Sequence, residues 1–509
     1  MAPVPQRLPG TLQLMSWNVA AINNNPFEYW LTHGDPDYAK LMEDVEKFVE
    51  APGDLDVPVK EVFTPSMYDS LSKLMTEQGW DGEAACTAAW EKLSERKIIS
   101  EFLKDAELGN KRLMSMPDRF SNTIDVEGGG SVFRPSVISS FSGDMGSLDA
   151  WWSCWTNFFF TTKIDLPGKG KRLPCSLLKK IPRAKYPALT EEEEAMSQRL
   201  QTVCLAVFDA ILVHMLTQLS PGGKWLALKR QILQALVSDK ESKLIAIFKG
   251  PYATTDLFFL QEVRTEQVTS VLPAALGDKY VVVGPPITSK ANQNSCMLLS
   301  KACFDPASIT DLTKEAMALQ PSNGAQAADG DLVVVSATDL SGQKLLLASF
   351  HGDTDGLATA TVLAAVHALA TTRPEEALIF GLDANTYVKA KPGKQAGAAE
   401  FIADFKVKGY GSNYGDKPLV ECLTTSNART YLQPQLQKAC KASDKQAKGD
   451  FNPKDYLLFS AAKFELIESG KDNTGQRAYT EGMVVPTFDW PSDHGCIFAT
   501  LKLVAPVAV

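Results

Sequence analysis

Residues 377–385 read ALIFGLDAN, a run of apolar residues that ends on an aspartate and an asparagine. Residues 377–381 have the apolar content and the glycine boundary of a buried strand. Asp383 and Asn385 therefore stand where that strand stops. Polar groups at the ends of apolar strands are typical of a site at the edge of a sheet, so this segment predicts a sheet core that carries an active site.

The same arrangement recurs elsewhere in the chain. Further polar residues stand at the boundaries of predicted strands, at Asn18, Glu262, His351, Asp455, Asp493 and His494. Taken singly, each has a simpler interpretation, because a glutamate after a strand is usually a solvated loop residue and Asp-x-Asn is most often a turn. Their joint occurrence, each at a strand boundary, predicts one composite site.

Apolar strand patterns occur at the beginning of the chain and again after residue 250. They are rich in Val, Leu, Ile and Phe and are bounded by Gly, Pro, Asn and Asp. The predicted strands are 11–19, 256–260, 280–283, 296–299, 332–336, 345–350, 377–381, 456–459 and 496–503. Helical patterns at 357–371 and 397–406 lie between them. This alternation predicts an α/β or α+β fold with large sheets.

The chain between the first strand and residue 250 reads differently, because helical patterns dominate it. The predicted helices are 38–49, 66–78, 82–104, 191–219 and 224–248. Thr190 followed by four glutamates is a strong helix start, with a hydroxyl cap and an acidic first turn. We therefore predict one domain formed by residues 11–30 and 250–505, interrupted by a mostly helical insertion over 31–249.

The composition is that of an ordinary globular protein, with 509 residues, 45% hydrophobic and 22% charged. The net charge of −9 disfavours non-specific binding of long DNA, which usually needs a basic surface, but a local basic patch could still bind nucleic acid. Nine scattered cysteines without Cys-x-x-Cys spacing indicate neither a zinc site nor a disulfide framework.

The cysteines read as thiols in a reducing compartment. The start of the chain lacks the basic head and apolar run of a signal peptide. The longest apolar stretch, 203–216, is too short to span a bilayer and contains Asp209 and His214. We therefore expect an intracellular protein, cytoplasmic or nuclear, without a transmembrane segment.

One segment of the insertion could serve a partner. The aromatic run 151–160 is followed over 163–185 by eight basic residues. Such a stretch could bind nucleic acid or an anionic membrane surface. A buried aromatic segment followed by a solvated loop explains the pattern more simply and is the interpretation we favour. Protein partners are left open.

The sequences of the strand-end motifs, and their order in the chain, resemble those of the endonuclease/exonuclease/phosphatase superfamily, the DNase I-like metal-dependent phosphoesterases. The resemblance covers roughly residues 11–30 and 250–505. Asp455-Tyr-Leu-Leu-Phe-Ser and Ser492-Asp493-His494 are similar to the abasic-site endonuclease branch. Ser349-Phe350-His351 is similar to the Thr-His-Leu of deadenylases and sphingomyelinases, but continues as Gly-Asp-Thr. The branch therefore stays open.

The resemblance implies a four-layer α/β sandwich, in which two packed mixed β-sheets are flanked by helices. It also implies a divalent cation, Mg²⁺ or Mn²⁺, with Glu262 as the main ligand and Asn18 and Asp493 beside it. The catalytic roles that it implies are a general base at Asp383, a water- or phosphate-binding amide at Asn385, a phosphate donor at His494 oriented by Asp455, and a second phosphate contact at His351.

The expected activity is therefore hydrolysis of a phosphate ester, with a phosphodiester ahead of a phosphomonoester. Nucleic acid is the leading substrate class, and a phospholipid, a phosphoinositide or a small phosphorylated molecule is the alternative. Fold does not choose among these. An alternative of another class is a non-catalytic binding or scaffolding protein that presents the helical insertion.

Overall fold

The computed structural model describes residues 10–285 and 292–504. The chain forms two compact units. The first unit comprises Met1–Ile22, Asp239–Asn427 and Gly449–Val509, and the second comprises Asn23–Ser238 and Ala428–Lys448. The second unit thus differs from the predicted insertion 31–249. It also includes residues 23–30 and Ala428–Lys448, which were predicted to belong with the sheets, whereas residues 239–249 lie in the first unit.

The first unit contains two six-stranded mixed sheets. In spatial order, the strands of the first sheet are Phe464–Asp472, Cys496–Leu503, Thr11–Asn18, Leu257–Val263, Asn294–Ser300 and Tyr280–Val283. Those of the second sheet are Tyr410–Ser412, Asp455–Ser460, Ala377–Asp383, Lys344–His351, Leu332–Thr338 and Thr310–Asp311. Each sheet has one parallel pair of strands at its centre, and its other pairs are antiparallel. The parallel pair is Thr11–Asn18 with Leu257–Val263 in the first sheet and Lys344–His351 with Ala377–Asp383 in the second.

The two sheets pack face to face through fully buried aliphatic and aromatic side chains. The contact is closest at Gly381, where an added Cβ would lie 2.4 Å from the Cβ of Phe259. Gly381 belongs to the second sheet and Phe259 to the first. The glycine is therefore needed because the facing ring already fills the space that a side chain would occupy.

Helices cover the outer faces of both sheets. On the first sheet, Phe248 of the helix Lys240–Lys249 packs edge-on against Trp17 and Phe258. On the second sheet, Phe401 of the helix Ala398–Val407 contacts Tyr456, with ring centroids 5.0 Å apart. The order helix, sheet, sheet, helix confirms the predicted four-layer α/β sandwich. The remaining helices of this unit are Leu272–Leu276, Thr313–Ala318 and Thr359–Thr371, with a π-helical turn at Gln267–Val271.

Every predicted strand is present, with bounds that differ by at most a few residues. The nine-residue strand Phe464–Asp472 was not predicted. It is an edge strand, and most of its side chains are exposed or half-exposed, so it lacks the apolar run that marks the others. Edge strands commonly carry charges that prevent pairing with other chains.

The second unit is mostly helical. Its α-helices are Pro36–Glu50, Val59–Val62, Pro65–Glu77, Glu83–Ser94, Ala106–Asn110, Ser115–Ser121, Leu148–Phe160, Glu191–Ala195, Ser197–Leu219, Lys224–Leu233 and Lys445–Lys448. Two π-helical segments, Ile98–Leu103 and Gln234–Ser238, interrupt the predicted helices 82–104 and 224–248. Two short hairpins complete the unit, Thr123–Asp125 with Ser131–Phe133 and Ile164–Leu166 with Gly170–Arg172. The N-cap predicted at Thr190 is present, and Glu193 completes a capping box with it.

The central helix of this unit is Ser197–Leu219. It is long and apolar enough to cross a membrane by length and composition, but 89% of its most apolar window is buried within the protein, as in the core helix of a globular unit. Asp209, a fully buried acid of this helix, accepts hydrogen bonds from Arg134 at 2.8 Å and from Trp155 at 3.0 Å. This buried pairing offsets the cost of placing a carboxylate in an apolar core.

The aromatic run belongs to the core of the same unit. Trp151 and Trp155 of the helix Leu148–Phe160 are fully buried, whereas the basic strand Gly170–Arg172 is exposed. The favoured interpretation, a buried aromatic segment followed by a solvated basic segment, is confirmed.

Candidate active site

The strand ends that carry the motifs lie at one edge of the sandwich. Asn18 is paired with Gln261, the residue before Glu262, in the parallel pair of the first sheet. In the second sheet, Asp383 is in register with both His351 and Asp455. Since the carboxyl ends of parallel neighbours meet at the same edge, the polar residues that follow them converge.

The amide of Asn18 joins the two sheets. Its Nδ2 donates to Glu262 Oε1 at 3.0 Å and to Asp383 Oδ2 at 2.8 Å. Its Oδ1 accepts from the backbone N–H of Ala20 at 2.9 Å. Because the oxygen is occupied and the nitrogen faces the carboxylates, Asn18 bridges them. In this arrangement Asn18 positions the two carboxylates, and its role as a metal ligand stays a prediction.

Glu262 lies at an irregularity of its strand. The pairing register shifts between Leu260 and Val263, and Glu262 has a φ of 56°, in the left-handed region. Such a bulge redirects a side chain at a cost of about 1–3 kcal/mol for a non-glycine residue, and it is common beside active sites. Here the bulge directs the carboxylate toward the backbone N–H of Ala21, which donates to Oε2 at 2.8 Å.

The carboxylate of Glu262 stays ionised although it is shielded from solvent. Burial alone would raise its pKa. His351, with Nε2 at 3.4 Å from Oε1, and the N–H donors of Ala21 and Asn18 more than offset burial and hold the pKa far below its usual range. Because Glu262 is negative, it raises the pKa of His351 in turn, against the effect of burial.

Asp383 lies at the centre of the cluster and is fully buried. Its Oδ1 accepts the backbone N–H of Asn385 at 2.9 Å, and its Oδ2 lies 3.8 Å from Nε2 of both His351 and His494. Asn385 has a φ of 47° and donates its Nδ2 to the carbonyl of Gly352 at 2.9 Å. The turn at Asn385 thus fixes the carboxylate between two imidazoles.

His494 is held at several points. Its Nδ1 lies 2.9 Å from Asp455 Oδ2, and its carbonyl oxygen accepts from the indole N–H groups of Trp17 and Trp490. Burial opposes the charged imidazole, but the Asp455 carboxylate more than offsets it and raises the pKa of His494 to about 10. The ring is therefore protonated at neutral pH, with Nε2 free to donate toward the space beside Asp383.

Asp493 completes the predicted set. Its Oδ2 lies 3.4 Å from Nδ2 of Asn427. Burial raises the pKa of Asp493, and the negative charge of Glu262 raises it further. The structure thus brings all eight predicted residues together, at Asn18, Glu262, His351, Asp383, Asn385, Asp455, Asp493 and His494.

Three residues of this region were not predicted. Asn427 contacts Asp493, and Lys454 donates to Asp450 at 2.6 Å while its charge also acts on Asp383 and Asp493. Lys240 is 5% exposed. Burial lowers its pKa to about 8, against the opposing influence of Asp493 and Glu262. Lys240 begins a helix, so no strand-end signal could have identified it.

Two sets of groups could hold a divalent cation. Ligand atoms of Asp383, Asp455 and His494 lie within 4.8 Å of one another, but His494 and Asp455 are already hydrogen-bonded to each other. Glu262 and Asp493 instead repel each other, and this repulsion adds to the effect of burial in raising the pKa of Asp493. A cation between them would relieve that repulsion, and carboxylate oxygens are the ligands that Mg²⁺ and Mn²⁺ prefer. The pair Glu262 and Asp493 is therefore the better fit.

The first unit consists of two packed mixed sheets with helices outside, and the motif residues lie together at one edge of the sheets. This is the four-layer architecture that the resemblance to the endonuclease/exonuclease/phosphatase superfamily implies. Within the second unit, residues 56–230 match a family model described as a domain of unknown function, DUF8234. No curated protein matches the chain.

The chain is similar to several solved structures at low sequence identity. ANGEL2, described as a 2′,3′-cyclic phosphatase, is 12% identical, with a TM-score of 0.37, over 52% of this chain and 86% of the other. The human Nocturnin catalytic domain with bound sulfate is 13% identical, with a TM-score of 0.33, over 52% and 87%. D. rerio TDP2 with a single-stranded DNA product is 15% identical, with a TM-score of 0.35, over 52% and 92%.

Proposed function

We propose that the first unit hydrolyses a phosphate ester with the help of Mg²⁺ or Mn²⁺. The observation that carries the proposal is the Asn18 bridge, which holds the carboxylates of Glu262 and Asp383 on either side of one amide, with both histidines beside them. An anionic phosphoryl group needs such a combination of cationic donors and a carboxylate base.

Glu262 and Asp493 would hold the cation, which when bound neutralises charge on the phosphoryl and leaving oxygens. Asp383, fixed by Asn18 and by the backbone of Asn385, orients the attacking water and accepts its proton. His494 donates from Nε2 to a phosphoryl oxygen while Asp455 fixes its ring.

The remaining two predicted residues would support this arrangement. His351 stabilises the ionised form of Glu262 and offers a second cationic donor. One N–H of the Asn385 amide donates to the carbonyl of Gly352 and holds the turn after Asp383. The amide has a second N–H and an oxygen, so the predicted contact with water or phosphate is compatible with this hydrogen bond.

The carboxylate base and the histidine donors of the site favour one class of substrate over the others. We favour a phosphodiester, and nucleic acid among phosphodiesters, because a carboxylate base suits water attack and the histidine donors suit the anionic oxygens of a diester. Phospholipids, phosphoinositides and small phosphorylated molecules are the alternatives that a substrate panel distinguishes.

The test is hydrolysis of bis-p-nitrophenyl phosphate by the full chain. We expect hydrolysis with Mg²⁺ or Mn²⁺, loss of at least 90% of the rate on addition of EDTA, and recovery when excess metal is restored. An identical rate with and without EDTA would rule out the metal-dependent mechanism. Absence of hydrolysis with every metal, across DNA, RNA, abasic DNA, phosphoinositides, sphingomyelin and monoesters, would favour a binding or scaffolding protein.

Lys240 gives a further prediction at this site. Its ammonium lies in the field of Glu262 and Asp493, so it competes with a divalent cation for the same two carboxylates. We expect Lys240→Met to lower the Mn²⁺ concentration that gives half-maximal activity by roughly tenfold. Lys249→Met, at the exposed end of the same helix, is the matched control. An unchanged metal requirement in Lys240→Met would show that this lysine does not act on the cation.

A further inference from the structure

The second unit encloses an open cavity of about 970 Å³. Its walls come from the end of the helix Pro36–Glu50, from residues 103–115 and from residues 431–448. All three segments belong to the same unit. The volume is in the range of cavities that hold ligands of nucleotide size.

The walls carry more positive than negative charge. The cationic lining residues are Lys104, Arg112, Lys441 and Lys448, and the acidic ones are Glu50 and Asp105. Both acidic side chains already have partners within the protein. Asp105 pairs with Arg96 at 2.8 Å and caps a helix by accepting the backbone N–H of Glu107.

Glu50 accepts a hydrogen bond from the hydroxyl of Tyr431, which also lines the cavity. Its carboxylate lies 3.7 Å from Nζ of Lys441. The negative charge of the lining is thus committed, while Lys104 and Arg112 leave positive charge to be neutralised. An anion is the ligand that this balance favours.

Among the lining residues, Arg112 gives the strongest indication of a bound anion. Its Nε is buried and has no hydrogen-bond partner within the described part of the chain, residues 10–285 and 292–504. A buried guanidinium N–H without an acceptor is costly, so a shift of this side chain toward the open cavity, where a ligand oxygen can accept, would be stabilising. The guanidinium also lies 6.0 Å from the ring centroid of Tyr186, which supports its planar face.

The backbone of Arg112 strengthens this argument. Arg112 follows the helix Ala106–Asn110 with a φ of 63°, and its N–H donates to Gly109 O while the N–H of Leu113 donates to Leu108 O. These two bonds form a Schellman-type helix end, in which the left-handed position is usually glycine. An arginine in the left-handed region lowers the stability of the fold, so a function of its side chain would explain why the position is not glycine.

We propose that this cavity binds a small phosphorylated organic anion of nucleotide size, with its phosphate accepting from Arg112 and facing Lys104. A guanidinium fork matches the oxygens of a phosphate in a bidentate manner, and a lysine adds a point charge. The site belongs to the helical unit and does not depend on the phosphoester hydrolysis proposed for the other unit.

Calorimetric titration of the full chain with ATP, AMP and pyrophosphate in EDTA tests the proposal. We expect saturable binding that Arg112→Gly weakens at least tenfold. Because glycine suits a φ of 63°, this variant should unfold at a temperature equal to or above that of the wild type. Arg112→Lys should retain part of the affinity, and Lys104→Gln should weaken binding several-fold.

The matched controls separate this cavity from other anion sites. Lys73→Gln, an exposed lysine of the same unit outside the cavity, should bind as the wild type does. Asp383→Asn should also bind normally, since Asp383 lies in the other unit. The proposal fails if none of the three probes binds, if Arg112→Gly binds them with wild-type affinity, or if Lys73→Gln loses as much affinity as Arg112→Gly.

Discussion

Asp383→Asn is expected to lower the rate of bis-p-nitrophenyl phosphate hydrolysis by about 10³-fold. The substitution preserves the shape of the side chain, and an amide oxygen can still accept from Asn18 Nδ2. What disappears is the negative charge between His351 and His494 and the ability to accept a proton from water. We therefore expect the loss in kcat, measured at saturating metal, with the fold intact by circular dichroism.

The matched control for this prediction is Asp278→Asn, which alters an exposed aspartate of the same unit. It removes the same charge from the chain without touching the cluster, so its rate should stay within twofold of the wild type. If Asp383→Asn kept more than a tenth of the wild-type rate, Asp383 would not be the base. The mechanism proposed here would then need another proton acceptor.

Gly381→Val is expected to destabilise the first unit by about 3 kcal/mol, because it inserts a branched side chain where the two sheets touch. Even the Cβ of an alanine would lie 2.4 Å from Phe259 Cβ and Cγ, so the facing backbones must separate. For a unit of this size the Tm should fall by roughly 6–12 °C. Differential scanning calorimetry would measure the fall.

Gly34→Ala serves as the comparison for Gly381→Val, since its added Cβ would meet no atom within 4 Å. Its Tm should lie within about 2 °C of the wild type. A Gly381→Val variant that unfolds at the wild-type temperature would contradict the close packing of the sheets at this point. Phe259→Ala combined with Gly381→Val should recover part of the lost stability, because the added volume then has space.

The sheet core was predictable because its strands are buried on both faces. Residues 377–382 and 496–499 are continuous apolar runs, and a short run of this kind is typical of a strand buried on both faces. Phe464–Asp472 is paired on one side only, and its exposed face carries polar residues. Its pattern therefore resembles that of a loop.

The members of the candidate site were predictable where they follow a strand, as Asp383 and Glu262 do. Their orientation was not. The amide of Asn18 turns its nitrogen to the carboxylates because the N–H of Ala20 takes its oxygen, a local turn that residue types do not specify. Lys240 comes from the first position of a helix and reaches the cluster only through tertiary packing.

The boundary between the units was only partly predictable. Composition changes after the first strand, so the helical part could be predicted to begin at residue 31, whereas the second unit begins at Asn23. The segment Ala428–Lys448 has no such change of composition. It joins the second unit through contacts such as Thr430 N–H to Glu28 O at 2.8 Å, which link residues distant in the sequence.

The position of a bound cation tests the central claim most directly. Crystals of the full chain soaked in Mn²⁺ should give an anomalous-scattering peak within about 2.5 Å of carboxylate oxygens of both Glu262 and Asp493. Glu262→Gln crystals treated in the same way should lose the peak. A wild-type peak elsewhere in the chain, or none at saturating Mn²⁺, would contradict the proposal that these strand ends converge on one metal ion.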